Sequence, residues 1–479
     1  MAASDANQRR AGSDGQADSS PGSARQGSLF QRYFPPEEFA ARRAKVFEAI
    51  GDEAHALLQG AGPARGFEVS RQSNEFYYLC GVEVAQSYLL LNGESRTTTL
   101  LLPETDEGRV RSEGPMLGPE DPELVKELTG VEAVGEVAAL PERLEDVRTL
   151  YVPHSAAEGR MMTRWAAQSA GRAIASDPWD GRLTREAQFI GRLQTRYPRL
   201  EIRDLCPILD ELRVVKSPRE IEMLRRAARL SGLAVMEAMR STAPGVMEYQ
   251  LGAVASYIFR VNGASGEGYR PIVAGGPNAW HGHYFRNDCV LTDGDLVLMD
   301  CAPEYGYYTS DIGRMWPVGG KYDAQQRELY GLVVEYHKAL LPRIRPGVMA
   351  TTIMEEAAEQ MREVISGTTF SKPIYEQAAL RMLEFGGHLS HSVGMAVHDV
   401  GGYRSRPLVP GLVFAVDPQM WIPEEKLYIR AEDTVVVTED GIENLTGFVP
   451  LELDDVEALM QEPGMLQRFP PEGLSESLS

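Results

Sequence analysis

The chain has eight histidines, and five of them, His281, His283, His388, His391 and His398, fall in two short segments of its second half. Carboxylates accompany them: Asp300 and Asp311 lie between the two segments, Asp417 and Glu432 after them. A hard or borderline divalent cation takes oxygen ligands with an occasional imidazole. Two such cations held close together need carboxylates that share their two oxygens between them. Asp300, Asp311, His391, Asp417 and Glu432 are the residue types required. Each also has an ordinary structural reading, the aspartates as turn or cap residues and the histidines as satisfied surface or core side chains. Composition alone does not choose between the two; the order and wording of the segments do.

Those residues need elements to position them. DLVLMD, over 295–300, is an apolar run between acids and predicts a buried strand that ends at a site. TVVVT, over 434–438, predicts a second such strand just beyond Glu432, followed by the hairpin-turn signal Asp440-Gly441. Ser217-Pro218-Arg219-Glu220 reads as a capping box with proline at the first helical position. Ile221, Leu224, Ala228, Ser231 and Val235 then recur at helical spacing. A long amphipathic helix is therefore expected to open a second, α+β domain near residue 212, which runs to about 460.

Ahead of it, residues 31–205 predict an α/β domain. PPEEFAARRAKVFEAI is a helical entry, and FYYLCG, QSYLLLNG and TTTLLLP are three strand candidates, each closed by a turn signal. Helical and strand patterns then alternate to about Tyr197. Residues 1–30, rich in Ser, Gly, Ala, Asp and Gln, are expected to be disordered, and 461–479 to form a loose tail.

With 48 basic and 69 acidic side chains the formal charge is −21, which argues against a nucleic-acid partner and against an anionic membrane surface. No apolar run reaches the length of a membrane span. Arg9-Arg10 is followed by no apolar stretch, so neither a Sec nor a twin-arginine signal is expected. Cys80, Cys206, Cys289 and Cys301 form no C-x-x-C pair, and a reduced, cytoplasmic setting is expected.

The wording of several segments resembles the aminopeptidase P and prolidase branch of the creatinase/aminopeptidase ("pita-bread") metallopeptidases, family M24. FPPEEFAARRAKV and SRQSNEFYYLCG resemble that family's N-terminal domain. HYFRNDCVLTDGDLVLMD, YGYYTSDIGRMWPV, HLSHSVGMAVHDVG and IRAEDTVVVTEDGIENLT resemble its metal-site motifs in order. The resemblance runs from about 34 to 455 and implies an α/β N-terminal domain followed by an α+β pita-bread catalytic domain.

It also implies roles. Asp300 would hold one metal, Asp311 and Glu432 would bridge two, and His391 would hold the other with Asp417 beside it, Asp417 being also a candidate catalytic general base. The ions would be divalent, with Mn²⁺ best suited to so many carboxylates and Co²⁺ or Zn²⁺ as alternatives. A hydroxide held between them would attack the carbonyl before proline. His398 would stabilise the tetrahedral intermediate, His283 would contact substrate or shuttle a proton, and Arg430 would support the site by hydrogen bonding. For these three a role in only orienting the ligands stays open. A homodimer or homotetramer is implied as well.

Three positions depart from the family pattern. Where the family has Pro-Gly-x-x-x-x-x-Glu-Pro-Gly, this chain reads PGLVFAVDPQ over 410–419, so the acid is Asp417 and the final glycine is Gln419. The carboxylate loses about 1.5 Å of reach, one C–C bond. Gly387-His388 stands where the family has His-Gly, which makes His388 a bystander. Trp421 lies between Asp417 and Glu432, either as a wall of a substrate pocket or as a core aromatic. The function implied is release of the N-terminal residue from peptides with proline second. The alternatives are an Xaa-Pro dipeptidase, or a non-catalytic or metal-independent homologue with an altered fifth ligand.

Overall fold

A computed structural model describes residues 29–64 and 66–471. The segment expected to be disordered lies almost wholly outside the described residues, as does the end of the tail.

The first domain is built on a six-stranded mixed sheet. In spatial order its strands are Ala133–Glu136, Thr97–Leu102, Tyr88–Asn92, Ala54–Gln59, Thr149–Val152 and Glu201–Asp204. Side chains alternate across a strand, and here both faces are covered. Ala56, Leu58, Leu89, Leu91, Leu100 and Leu102 pack on one side, and Leu57, Leu90, Leu101, Leu150 and Val152 on the other. That is why the strands read as unbroken apolar runs. Helix Pro36–Ile50 lays Phe39, Val46, Phe47 and Ile50 against the first of these faces.

One strand expectation is corrected. FYYLCG lies in helix Asn74–Cys80, whose seven residues are all buried. Gly81 ends it in the left-handed region at φ +69°, with its N–H on Tyr77 O. Aromatic residues favour strands only where a pleated surface receives them. Here Tyr77 stacks on Tyr307 at 3.5 Å between ring centroids, and this packing against the second domain overrides local preference.

Between the domains, helix Cys206–Val214 ends before the long helix begins, so that helix starts at Pro218 rather than near 212. Val215, in the break, bridges to Leu412. The Ser217/Glu220 capping box forms as read, and helix Pro218–Ser241 buries Leu224, Ala228, Ser231 and Val235.

The two larger sheets of the second domain are antiparallel. One holds Ile272–Gly275, Leu296–Asp300 and Gly313–Pro317, with Leu296–Asp300 central. The other holds Leu389–Ser392, Val413–Val416, Asp433–Val437 and Ile442–Asn444 in that order. The two meet at Gly313, which pairs with Glu432 through reciprocal backbone hydrogen bonds of 3.2 and 2.9 Å. A Cβ on Gly313 would lie 3.2 Å from Glu432 Cβ, so any side chain there would press Glu432 back by a few tenths of an ångström. A hairpin of Gln419–Ile422 and Leu427–Arg430 extends beside them.

The tail is not wholly loose. Residues Met465–Arg468 form a helical turn against the end of Pro218–Ser241, with Met465 N donating to Glu237 and the Gln467 amide to Ser241 O. No turn of four residues announces itself in sequence, because its partner lies more than 200 positions away. Among the described residues no helix is long and apolar enough to cross a membrane.

Candidate metal centre

The seam between the two sheets collects the acids. Asp300 closes its strand and pairs with Gly313, and Asp311 stands just ahead of the neighbouring strand. Asp417 follows Val413–Val416, Glu432 precedes Asp433–Val437, and His391 lies within Leu389–Ser392. Strand ends from both sheets thus converge on one point. The four carboxylates are each at most 5% exposed.

Ligand atoms of Asp311, His391 and Glu432 lie within 4.8 Å of one another. His391 Nε2 is 3.3 Å from Asp311 Oδ2 and 3.9 Å from Glu432 Oε1. The Tyr269 hydroxyl sits between two carboxylates, 2.5 Å from Asp300 Oδ1 and 2.7 Å from Asp311 Oδ1. Arg430 reaches three acids at once: Nη1 to Asp300 Oδ2 at 3.1 Å, Nε to Asp417 Oδ1 at 3.0 Å, and Nη2 to Glu432 Oε2. The Gln419 amide donates to Asp417 Oδ2.

The electrostatics leave a deficit of positive charge. Burial, then the neighbouring Asp311, pushes Asp300 well above the usual carboxylate range, and burial does the same to Glu432. Burial also raises Asp417. Burial opposes ionisation of Asp311 too, but the hydrogen bond and charge of His391 hold it below the usual range. Burial, and then the His391 charge, pushes His398 down to about 3, and burial lowers His283.

Glu432 Oε1 is buried with no hydrogen-bond partner. A buried carboxylate oxygen without a donor is costly, and a cation is the group that would satisfy it. Four carboxylates, one imidazole and an orphaned oxygen fit a divalent metal site.

His391 and His398 lie 4.0 Å apart between ring centroids, and His283 and His398 6.0 Å. All three line a cavity of about 650 Å³ whose floor is formed by Asp300, Asp311, Asp417 and Arg430. Trp421 lines it as well, stacked on Tyr428 at 4.0 Å, so of the two readings left open it is a pocket wall. His388 points elsewhere: it is fully buried between Tyr336 and Phe385, with Nε2 2.6 Å from Met382 O. His281 does not line the cavity.

Sequence reasoning missed Tyr269, whose residue type signals nothing. It also missed Met161, Thr163, Trp165 and Ala166, which reach the cavity from the first domain. A second group of possible ligands, Glu248, Asp288 and Cys289, is a satisfied structural cluster. The Glu248 carboxylate there accepts from the N–H groups of Gly275 and Cys289 and from the side chains of Asn278 and Tyr284.

Comparison with known proteins agrees with this geometry. Residues 222–439 match the model of metallopeptidase family M24, and 39–151 that of the aminopeptidase P N-terminal domain. The Xaa-Pro aminopeptidase of Haemophilus influenzae is 30% identical over 449 residues, covering 89% of this chain and 97% of that one. The Xaa-Pro aminopeptidase of Escherichia coli is 40% identical over 275 residues, 54% of this chain and 62% of that enzyme. Zinc-substituted E. coli aminopeptidase P in complex with product superposes with a TM-score of 0.71 at 28% identity, covering 89% of this chain and 98% of that one.

Proposed function

The chain belongs to metallopeptidase family M24, and from that premise we propose that it is a metal-dependent exopeptidase releasing the N-terminal residue of peptides whose second residue is proline. The observation that carries the reading is the group of Asp311, His391 and Glu432: Asp311 and His391 line an open pocket, and behind them Glu432 Oε1 is buried without a hydrogen-bond partner.

We assign two divalent ions to this site, with Asp300, Asp311, His391, Asp417 and Glu432 as their ligands and Mn²⁺ as the ion. When bound, the ions supply a water nucleophile at neutral pH and polarise the scissile carbonyl. The residues around them do the rest. Burial favours the uncharged form of His398 and of His283, and their N–H groups can donate to the carbonyl oxygen as it gains charge. Arg430 offsets the charge of three acids and fixes their orientation. Tyr269 holds Asp300 and Asp311 in register. His283 and His398, both on the cavity wall, are assigned to the substrate and Arg430 to the ligands it orients. The four cysteines are all free, which fits a reducing compartment.

The test is a panel of Xaa-Pro dipeptides, Xaa-Pro-Yaa peptides and proline-free controls with the Mn²⁺-loaded protein. Turnover confined to peptides with proline second is expected, and Asp311→Ala or Glu432→Ala is expected to abolish it. Less than one equivalent of bound Mn²⁺ together with no turnover would remove the proposal.

A further inference from the structure

We propose that Met161 and Trp165, on the first domain, form an apolar subsite for the side chain of the third substrate residue, the one after proline. The inference rests on the exopeptidase reading above. An exopeptidase that removes one residue places the scissile bond at the acids on the cavity floor. The remainder of a peptide of any length can leave only through the open mouth. The lining includes exposed apolar side chains: Met161 is 46% exposed, Trp165 69% and Phe285 43%. Large apolar side chains left in water at the lip of a binding cavity mark a surface that is covered when the ligand is present.

The lip is held in place rather than left loose. Met161 sits in the left-handed region at φ +57°, an unfavourable conformation for a residue with a Cβ. Thr163 caps helix Arg164–Ser176 by accepting from Ala166 N, which sets Trp165 in the first turn. Glu158 accepts from Arg164 N at 3.1 Å and from Arg213 Nη1 at 2.6 Å. The Arg164 side chain turns inward to Glu75 and Asp210, so no charge projects from the lip at that position. A preorganised apolar wall gives selectivity without a large ordering cost.

The cavity also says what it does not select. Among the described residues, Arg430 is the only lysine or arginine that lines it, and Arg430 is committed to three acids. The α-carboxylate of an Xaa-Pro dipeptide would find no free cation of that kind. A peptide that continues past proline replaces that charge by an amide and brings a side chain to Trp165.

The test compares kcat/KM for Xaa-Pro-Leu and Xaa-Pro-Gly in the full-length, Mn²⁺-loaded protein and in Trp165→Ala, Trp165→Phe and Met161→Ala. The unaltered protein is expected to prefer the leucine peptide. Trp165→Ala is expected to cut the leucine-to-glycine ratio on the order of tenfold, through KM. Met161→Ala is expected to lower the same ratio, and Trp165→Phe to keep most of it. Parallel losses for both peptides, or an unchanged ratio, would overturn the subsite. Turnover of Xaa-Pro-Gly by the unaltered protein reports on the exopeptidase reading separately. If that turnover is absent, calorimetric binding of Pro-Phe against Pro-Gly gives the ratio instead: equal affinities in the unaltered protein would overturn the subsite, and a preference for Pro-Phe lost in Trp165→Ala would support it.

Discussion

Arg213 donates from Nη2 to Asp399 Oδ1 at 2.5 Å, and Asp399 directly follows His398 in the chain. Both side chains are 1% exposed. Lys216 Nζ stands 3.2 Å from the other Asp399 oxygen, and Arg213 Nη1 reaches Glu158. Burial alone would push Asp399 upward, but the two cations hold it below the usual carboxylate range. The segment carrying His398 is thereby tied, through one guanidinium, to the first-domain loop that forms the lip of the cavity.

Removing one member of such a buried set leaves the others as uncompensated charges. Arg213→Met is therefore expected to destabilise the protein by about 3–5 kcal/mol. Thermal unfolding checks this, and kcat of the surviving folded fraction is expected to fall because His398 loses its anchor. A melting temperature unchanged from that of the unaltered protein would contradict it.

Tyr269→Phe removes the hydroxyl placed between Asp300 and Asp311. Partners that orient metal ligands are typically worth about 10–100-fold in metal affinity or activity. A loss of that size is expected in Mn²⁺ affinity by calorimetry, or in kcat, with the fold intact by circular dichroism. Equal affinity and equal rate would show that the ring alone sets the two acids.

How far this site could be read beforehand depends on the residue. The strand at 295–300 was legible because an apolar run bracketed by acids has few other uses, and Glu432 because TVVVT follows it. The capping box at 217–220 was legible because its chemistry is local. FYYLCG misled because its helix is stabilised by Tyr307, more than 200 positions away. Tyr269 and Trp165 were invisible for a related reason: their types carry no chemical signature, and only the fold brings them to the acids.

His337 supplies a pH dependence of stability through Asp433, the residue that follows Glu432. It is fully buried, with Nε2 3.3 Å from Asp433 Oδ2 and Arg314 on the same carboxylate. Burial pushes its pKa from 6.5 down to about 4. The unfolded chain therefore binds the extra proton between these values, and stability falls as pH falls from 6.5 toward 4. The loss attributable to this group is on the order of 3 kcal/mol at the acid end, and none above 6.5. Urea unfolding across that window is expected to show it, and His337→Gln to flatten the slope by about one proton. Identical slopes in the two proteins would exclude His337 as the source.

Asp417 and Gln419 are best treated as a pair. The family places a glutamate and a glycine at these two positions, and here a shorter acid is met by a longer neighbour whose amide donates to it. The other Asp417 oxygen is taken by Arg430. Asp417→Glu alone adds about 1.5 Å of reach but drives the carboxylate into the space that the Gln419 side chain occupies. Removing that side chain as well gives the longer acid room. Metal–ligand distances tolerate only about 0.2 Å of error, so position decides affinity here more than charge. The expected order of Mn²⁺ affinity for the weaker of the two ions is thus Asp417→Glu with Gln419→Gly above Asp417→Glu alone, and Asp417→Glu alone above the unaltered protein. The gain for the double variant is expected to be about tenfold, or 1.4 kcal/mol. Calorimetric titration of the metal-free protein with Mn²⁺ reads this directly. Affinity unchanged in both variants would show that the shorter acid already reaches the ion. Tighter binding by Asp417→Glu alone than by the pair would show that Gln419 itself contributes to holding the metal.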